Sequence, residues 1–329
     1  MVYSVLRLDP RTPSSSPASS RELFEAALAM SAWADEQGFE LIALPEHHGT
    51  DDGYLPSPLV MASCIAGRTR RIRIGIIALL LPLYDPIRLA EDLAVLDIAS
   101  GGRVSIVAGM GYRREEYSMM GKDWDGRGKL MDECLELLLR CWREDEPFEW
   151  RGRRVHVTPK PVSEPHPMLA VGGMGRNAAR RAARFGLPFQ PAVNTPEVLA
   201  FYLSECERLG FEKPVAIPPG SGEMIWISED PERTWSEIGR YLLHDATTYA
   251  SWQPENHRST VHSDAKTVAA LRQEGKCQIL TPDECVEYLK AQGPVASISL
   301  FPLCGGTPPD LAWPSLELYA SKVLPRLQG

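Results

Sequence analysis

Short apolar segments alternate with amphipathic segments along most of the chain, and this alternation predicts strands separated by helices. The run 72–81 is apolar on both faces, as a strand covered by helices on both sides must be. Ser19 and Glu22 have the spacing of a capping box, which predicts a helix from that point to about Gln37. Alternating strands and helices indicate a parallel sheet with right-handed crossovers.

The same pattern sets the expected order of elements. The predicted strands are 2–8, 39–44, 72–81, 104–108, 168–171, 187–190, one within 215–217 or 223–227, and 295–301. The main predicted helices are 57–68, 86–99, 128–144, 196–209, 231–252, 281–292 and 311–327, with a further helix ending at 184 and a hairpin at 148–157.

Eight such strands fit either an open sheet or a closed barrel. No G-x-G-x-x-G motif follows the first strand, which speaks against a dinucleotide-binding open sheet. We therefore expect an α/β fold, a (β/α)8 TIM barrel with insertions in the C-terminal βα loops. Neither a repeat nor a low-complexity linker interrupts the chain, so residues 1–329 are predicted to form a single domain.

Composition narrows the class of protein. The net charge of −8 argues against a nucleic-acid or anionic membrane partner. The longest nearly apolar stretch, 72–84, is too short to span a bilayer, and the first residues lack the pattern of a signal peptide. The seven cysteines include no C-x-x-C pair, which favours a reduced, cytoplasmic protein with no metal site.

Polar residues follow the second predicted strand. Glu46, His47 and His48 come directly after an apolar run that ends at Leu44. They fit a solvated loop tip as well as a site in which an imidazole binds a polar group or moves a proton, with Glu46 orienting it. Adjacent residues on extended backbone point in opposite directions, so at most one histidine is expected to face a pocket directly. No third metal ligand is evident.

Glycine-rich turns follow two other strands. Gly172, Gly173, Met174 and Gly175 lead into a helix that begins near Arg176, an arrangement that suits either a tight turn or a phosphate held by free N–H groups. Gly109, Met110 and Gly111 end another strand and would let a flat ring approach the backbone, although a simple turn is an equal alternative.

Four aromatic residues are candidates for a pocket wall, and for each of them core packing is the favoured interpretation. They are Trp226, Trp252, Tyr249 and Trp313. Substrate specificity is expected in the two segments that are hardest to assign, 113–127 and 253–276, because long loops of this kind often act as lids.

Taken in order, these motifs resemble the bacterial luciferase-like flavin-dependent oxidoreductases. The most specific fragment is A-E-D-x-x-x-L-D-x-x-S-x-G-R, which begins at Ala90. The resemblance spans nearly the whole chain and is weakest from about Pro219 to Cys277. The matching segments are 44–48, 74–82 with 85–86, 90–92 with 96–97, 100–103, 109–112, 171–173 with 182–186, and 316–327.

The resemblance implies a TIM barrel with a flavin-type ring at its C-terminal mouth. His47 matches the histidine that serves the flavin reaction in luciferase, and Glu46 accompanies it. Ile77 and Ala78 match a position that often carries a cis non-prolyl peptide against the ring. Residues 172–176 match the phosphate-binding turn.

Two positions depart from luciferase. A reactive cysteine and an arginine stand there in luciferase, where this chain has Gly109 and Met110. Their absence argues against light emission and removes one expected phosphate charge, for which Arg176 is a candidate replacement.

The favoured function is an FMN-dependent monooxygenase that activates O2 on reduced flavin to oxidise a small organic substrate. His47 would hydrogen-bond to, or protonate, the flavin region that reacts with O2. The flavin would be reduced by NAD(P)H directly or through a separate flavin reductase, and the family resemblance favours a homodimer. One alternative is an oxidoreductase that transfers hydride with the deazaflavin F420. Another is a non-catalytic flavin-binding homologue.

Overall fold

The computed structural model describes residues 2–219, 223–253 and 262–327. These residues form two compact units, which are described separately. Unit 1 comprises the described residues within 1–56, 68–72 and 221–329, and unit 2 comprises those within 57–67 and 73–220.

Five parallel strands form the sheet of unit 1. They are β1 (Val2–Arg7), β2 (Leu41–Leu44), β9 (Met224–Ile227), β10 (Cys277–Leu280) and β11 (Ala296–Leu300). Their order is β10-β9-β11-β1-β2, with Leu6 opposite Leu300. Alternate residues of β1 and β11, including these two leucines, are buried, as one covered face of a strand requires.

The helices of unit 1 pack around this sheet. They are α1 (Ser20–Glu36), α8 (Pro231–Trp252), α9 (Val268–Glu274), α10 (Pro282–Ala291) and α11 (Pro309–Leu318). Capping boxes begin α1 at Ser19 and α10 at Thr281. The capping box predicted for α1 is therefore confirmed, and α8 has the bounds expected from its hydrophobic pattern.

Unit 2 is built around four parallel strands in the order β3-β4-β7-β8, and an antiparallel hairpin stands beside them. The four are β3 (Arg73–Leu80), β4 (Val104–Gly109), β7 (Met168–Gly173) and β8 (Phe189–Pro191); the hairpin strands are β5 (Phe148–Trp150) and β6 (Arg153–Val155). Arg151 and Gly152 form the turn of this hairpin with positive φ, and the hairpin predicted at 148–157 is confirmed.

Six helices complete unit 2. They are α2 (Pro58–Ala66), α3 (Pro86–Ser100), α4 (Arg114–Met119), α5 (Arg127–Arg143), α6 (Arg176–Phe185) and α7 (Pro196–Arg208). Asp85 caps α3 by accepting hydrogen bonds from the backbone N–H groups of Ile87 and Arg88, and Gly101 ends it in the left-handed region. The sequence predicted both ends of α3.

Three elements were missed by the sequence prediction. The strand Cys277–Leu280 and the helix Val268–Glu274 follow a polar, irregular stretch, and the helix Arg114–Met119 lies in a predicted loop. Four to seven residues are too few for a clear periodicity. Part of the predicted lid 253–276, residues 254–261, lies outside the described residues.

The last predicted helix, 311–327, is corrected by the structure. The α-helix ends at Leu318, a π-helical segment covers Tyr319–Val323, and a 3-10 turn covers Leu324–Arg326. Pro325 has no backbone N–H to continue an α-helical ladder, which accounts for the tighter final turn.

Candidate active site

The carboxyl ends of β1, β2 and β11 meet at one edge of the unit 1 sheet, because the three strands are parallel neighbours. Arg7 is the last residue of β1, Leu44 the last residue of β2, and Phe301 directly follows β11. The Cζ atom of Arg7 lies 4.7 Å from the ring centroid of Phe301. This edge carries the loop that holds Glu46, His47 and His48.

All three polar residues of that loop are buried: Glu46, His47 and His48 are 2%, 5% and 7% exposed. Nε2 of His48 lies 3.1 Å from Oε1 of Glu46, so the carboxylate orients the second imidazole of the pair. The backbone N–H of His47 donates to the carbonyl of Leu55 at 3.2 Å. Burial excludes the alternative that this segment is a solvated loop tip.

Aromatic rings enclose the imidazole of His47. Ring centroids of Tyr54, Trp252 and Tyr249 lie 5.1, 4.9 and 5.8 Å from its centroid. The hydroxyls of Tyr54 and Tyr249 lie 2.5 Å apart, and Nη2 of Arg7 donates to the Tyr249 hydroxyl at 3.1 Å. The core packing that the sequence favoured for Tyr249 is confirmed by its 6% exposure. The structure also brings the rings of Tyr249 and Trp252 to His47.

A buried ion cluster lies beneath these rings. Arg11 is fully buried, lies 3.2 Å from Asp52 and 2.6 Å from Asp9, and also pairs with Asp245. Burial raises the pKa of Asp9 to about 7, although the charge of Arg11 opposes the shift. Burial likewise opposes ionisation of Asp52, but the hydrogen bond with His244 and the charge of Arg11 outweigh it and lower its pKa.

The sequence analysis did not identify most of the residues that surround His47. Tyr54, Arg7 and Arg11 belong to no recognisable motif, and their roles depend on contacts between distant segments. One signal was available in α8: Asp245, Tyr249 and Trp252 are spaced by four and three residues and therefore share one helix face.

In unit 2, β3 and β4 approach each other closely near the predicted flavin position. The peptide bond between Ile77 and Ala78 is cis, which confirms the expectation from the family resemblance. A Cβ on Gly109 would lie 2.8 Å from the Cβ of Ala78, closer than real Cβ contacts allow. The pairing of β3 with β4 shifts register between Ile77 and Leu79. Only a glycine at position 109 allows the β4 backbone to approach the Ile77–Ala78 peptide this closely.

The next two residues of the predicted site follow β4. The Tyr117 hydroxyl donates to the carbonyl of Met110 at 2.5 Å. Gly111 has φ of 73°, in the left-handed region that favours glycine, and a Cβ there would lie 3.4 Å from Leu80. Gly109 and Gly111 therefore leave the backbone without side chains at two positions along this strand end.

The second glycine turn connects β7 to α6. A Cβ on Gly172 would lie 2.8 Å from Val107, and a Cβ on Gly173 would lie 2.5 Å from the Cβ of Ala178. The turn therefore has no room for side chains at these two positions. Met174 and Gly175 complete the turn before α6.

The start of α6 suits an anion. Gly175 is the N-cap and offers no side-chain cap, and the first turn contains no acidic residue. The N–H groups of such a turn and the helix dipole favour negative charge. The guanidinium of Arg176 lies 5.1 Å from the ring centroid of Phe201. These groups fit a phosphate, and the close backbone at Gly109 and Ala78 fits a flat ring.

Burial makes four of the cysteine thiols unreactive at neutral pH. All seven are free, and only Cys64 is exposed. Burial raises the pKa of Cys134 and Cys141 to about 11 and that of Cys277 and Cys285 to about 12, so these thiols stay protonated at neutral pH.

The described ranges contain no candidate metal cluster and no candidate membrane span. Within residues 2–219, 223–253 and 262–327, no cluster of three or more histidine, cysteine or acidic side chains could hold a metal ion. The helices described in those same ranges include none that is long and apolar enough to cross a membrane.

Comparison with known proteins gives a consistent family match. The family model for luciferase-like monooxygenases matches residues 4–293. The oxygenase component of flavin-dependent trigonelline monooxygenase from Acinetobacter baylyi is 24% identical over 201 residues, which are 58% of this chain and 56% of that protein. The chain spans about half the length of the curated relatives it matches.

Solved structures match over nearly the full length. Monooxygenase RslO1 from Streptomyces bottropensis is 25% identical with a TM-score of 0.75, covering 98% of this chain and 99% of that one. The oxygenating constituent of 3,6-diketocamphane monooxygenase from Pseudomonas putida, in complex with FMN, is 18% identical with a TM-score of 0.69 and 98% coverage of both chains.

A third solved structure contains a different cofactor. An F420-dependent secondary alcohol dehydrogenase, in complex with an F420–acetone adduct, is 15% identical with a TM-score of 0.67 and covers 99% of both chains. Together these likenesses confirm the predicted α/β fold class, that of the (β/α)8 barrel.

Proposed function

Because the chain belongs to the luciferase-like monooxygenase family, we propose that it is an FMN-dependent monooxygenase that oxidises a small organic substrate with O2. The observation that carries the proposal is the backbone cradle of unit 2. A close approach at Gly109 and Ala78 and a side-chain-free turn at Gly172 and Gly173 belong to one unit. This combination suits a flat ring with a phosphate tail.

The residues that would hold the cofactor follow from that cradle. Ile77, Ala78 and residues 109–111 would lie against the ring. Residues 172–176 would hold the phosphate through N–H groups at the start of α6 and through the charge of Arg176. When bound in its reduced form, FMN supplies the electrons that activate O2.

The imidazole of His47 would donate a hydrogen bond or a proton to the oxygen that reacts. The rings of Tyr54, Tyr249 and Trp252 exclude water around it, which strengthens such a bond. Glu46 would act indirectly: its carboxylate orients His48, and this pair would hold the loop that carries His47.

Reduced flavin needs a source. The trigonelline relative is an oxygenase component and the diketocamphane enzyme is an oxygenating constituent. By analogy, a separate flavin reductase would reduce FMN with NAD(P)H, while direct reduction by NAD(P)H is the alternative. The family resemblance also supports a single-domain chain, a cytoplasmic location and a homodimer. Size-exclusion chromatography with light scattering would test the homodimer.

An F420-dependent hydride transfer is the second candidate function. It is favoured by the likeness to the F420-dependent alcohol dehydrogenase and by Met110, which stands where luciferase has an arginine. A third candidate, a flavin-binding homologue without catalysis, differs by predicting cofactor binding with no turnover.

The deciding experiment is a titration of the purified protein with FMN, F420 and phosphate-free riboflavin. The monooxygenase proposal expects FMN to bind more tightly than riboflavin, and O2 uptake with chemically reduced FMN to produce an oxygenated product from a substrate panel. Binding of F420 without binding of FMN would contradict the monooxygenase proposal and support F420-dependent hydride transfer.

A variant pair then tests the assigned histidine. His47→Ala is expected to remove product formation while FMN still binds, whereas His156→Ala, at an exposed histidine, should leave turnover intact. FMN binding with no turnover in the wild type would support the non-catalytic homologue.

A further inference from the structure

One buried side chain of unit 2, that of Tyr117, reaches the ends of both strands that form the close backbone approach. Its hydroxyl donates to the carbonyl of Met110, the first residue after β4, at 2.5 Å. Its ring belongs to the same buried apolar cluster as Leu80, the last residue of β3, and Leu83. Leu80 stands only two residues after Ala78. Tyr117 therefore connects the end of β3 to the end of β4.

The hydrogen bond to Met110 fixes the direction of a whole peptide group. Burial raises the pKa of Tyr117, with the charge of Arg127 opposing the shift, so the phenol keeps its hydrogen at neutral pH. The peptide bond between Met110 and Gly111 is trans, and the C=O and N–H of a trans peptide point in opposite directions. The carbonyl of Met110 points to Tyr117, so the N–H of Gly111 points away from it.

Tyr117 is itself held by contacts within unit 2. The ring of Trp124 lies edge-on to its ring, with centroids 5.2 Å apart, and the guanidinium of Arg127 lies 3.9 Å from the Trp124 centroid. The backbone N–H of Lys122 donates to the carbonyl of Tyr117 at 2.8 Å. Arg127 is the first residue of α5. These contacts tie Tyr117, and through it the strand ends, to the start of a long helix.

Packing alone does not account for the hydroxyl of Tyr117. A phenylalanine would fill the same apolar cluster, and a buried hydroxyl costs free energy unless it is hydrogen-bonded. What the hydroxyl adds is a fixed direction for the carbonyl of Met110. This carbonyl directly follows Gly109, whose added Cβ would lie 2.8 Å from that of Ala78. The bond therefore acts on the part of β4 where the backbone position matters most.

We propose that Tyr117 is a positioning residue for the flavin ring. Its hydroxyl holds the Met110–Gly111 peptide, and this peptide keeps the end of β4 in the place that ring binding requires. Tyr117 acts through Met110 and not on the reacting atoms. The inference rests on the proposed function because it names a residue for ring binding, but the order that Tyr117 gives to the strand end is measurable without flavin.

The first test measures amide hydrogen exchange in the flavin-free protein. Tyr117→Phe removes only the hydroxyl and should speed exchange of the amides of residues 109–112 by about tenfold, because the strand end then opens more easily. Tyr202→Phe is the matched control, since this buried hydroxyl also donates to a backbone carbonyl, that of Leu187, at 2.9 Å. It should leave exchange at 109–112 unchanged.

The second test titrates the same variants with FMN and riboflavin. Tyr117→Phe should weaken the binding of both by the same factor, roughly three- to tenfold, because the two ligands share the ring. The visible absorption bands of bound FMN should also shift towards those of free FMN. A purely structural role would lower the melting temperature without moving these bands. Tyr202→Phe should leave both affinities and the bands unchanged.

A conservative replacement separates the hydroxyl from the rest of the ring. Incorporation of 3-fluorotyrosine at position 117 retains the donor, so exchange at 109–112, flavin affinity and the absorption bands should all stay close to those of the wild type. The fluorinated protein thereby serves as the rescue for Tyr117→Phe. Loss of flavin affinity in the fluorinated protein as large as that in Tyr117→Phe would contradict a role for the hydroxyl.

Three further results would overturn the proposal. They are unchanged exchange at 109–112 in Tyr117→Phe, an equal rise in that exchange in Tyr202→Phe, and faster exchange with unchanged affinity for both flavins. Failure of the proposed function would instead appear in the wild type, as an absence of binding of both FMN and riboflavin. That result would overturn the ring assignment, while the exchange comparison would still decide whether Tyr117 holds the strand end.

Discussion

Gly109 and Ala78 approach each other so closely that a Cβ on Gly109 would lie 2.8 Å from the Cβ of Ala78. Neighbouring parallel strands carry the two residues, β4 and β3. A side chain at position 109 would therefore displace the strand that carries the Ile77–Ala78 peptide. This relationship makes position 109 the most sensitive test of the ring-binding part of the proposed site.

Gly109→Ala is expected to weaken FMN and riboflavin binding by the same factor, because the added methyl group pushes apart the backbone against which the ring would lie. Overpacking of this kind costs about 1–3 kcal/mol, so thermal stability should fall as well. Gly67→Ala is the matched control, since a Cβ there meets only ordinary contacts of 3.7 Å. Flavin titration and thermal unfolding of both variants provide the check, and undiminished flavin affinity in Gly109→Ala would contradict the ring assignment.

Gly173→Asp is expected to weaken FMN binding strongly. Any side chain there meets Ala178 in the first turn of α6, and the carboxylate adds repulsion beside the phosphate. Gly173→Asn has the same bulk without the charge, so the ratio of the two dissociation constants isolates the electrostatic part. We expect Asp to be weaker than Asn by about two- to fivefold at low salt. Unchanged FMN affinity in Gly173→Asp would show that the phosphate does not bind at this turn.

Arg176 and Arg180 form a natural pair for testing the proposed phosphate charge. Both guanidinium groups lie 5.1 Å from the ring centroid of Phe201, but Arg176 begins α6 and Arg180 lies one turn further on. Arg176→Gln should weaken FMN binding several-fold at low salt and leave riboflavin binding unchanged, since riboflavin has no phosphate. Arg180→Gln should affect neither ligand. Equal losses of FMN affinity in the two variants would mean that Arg176 has no specific role.

The raised pKa of Asp9 makes stability depend on pH. In the unfolded chain Asp9 ionises near its ordinary value of 3.8, whereas in the folded protein its pKa is about 7. Between these values the folded protein holds a proton that the unfolded chain releases, so this residue's contribution to stability falls as pH rises. Above pH 7 Asp9 is ionised in both the folded and the unfolded state, and its stabilising contribution is fully lost.

Asp9→Asn should therefore gain stability relative to the wild type as pH rises from about 4 to about 7, with a slope of at most about 1.4 kcal/mol per pH unit for one proton. Urea unfolding at several pH values measures the difference. Asp52→Asn provides a comparison of opposite sign. The pKa of Asp52 is lowered, so its stabilising contribution is present above about pH 4 and is lost as pH falls below that value. A pH-independent difference for Asp9→Asn would show that Asp9 is ionised in the folded protein.

Local sequence patterns were sufficient for most helices and for the order of the elements. The bounds of α8 and the capping box at Ser19 follow from periodicity and cap chemistry, which act within a few residues. The hairpin turn at Arg151 and Gly152 is local in the same way. By contrast, β10 is four residues long and depends on pairing with β9, so its own sequence carried too little signal.

The residues of the candidate site likewise fall into those that local sequence predicts and those that depend on tertiary contacts. The strand-end motif that contains His47 and the glycine turns of unit 2 could be recognised from adjacent residues, because helix starts and tight turns have local signatures. The partners of His47 could not: Tyr54 and Tyr249 are 195 residues apart and meet through a single hydrogen bond. Arg11 gains its role only when folding brings Asp52 and Asp245 to it. Burial and charge pairing depend on three-dimensional proximity, and that is why the chain's hydrophobic pattern predicts its architecture while its tertiary contacts determine the environment of the site.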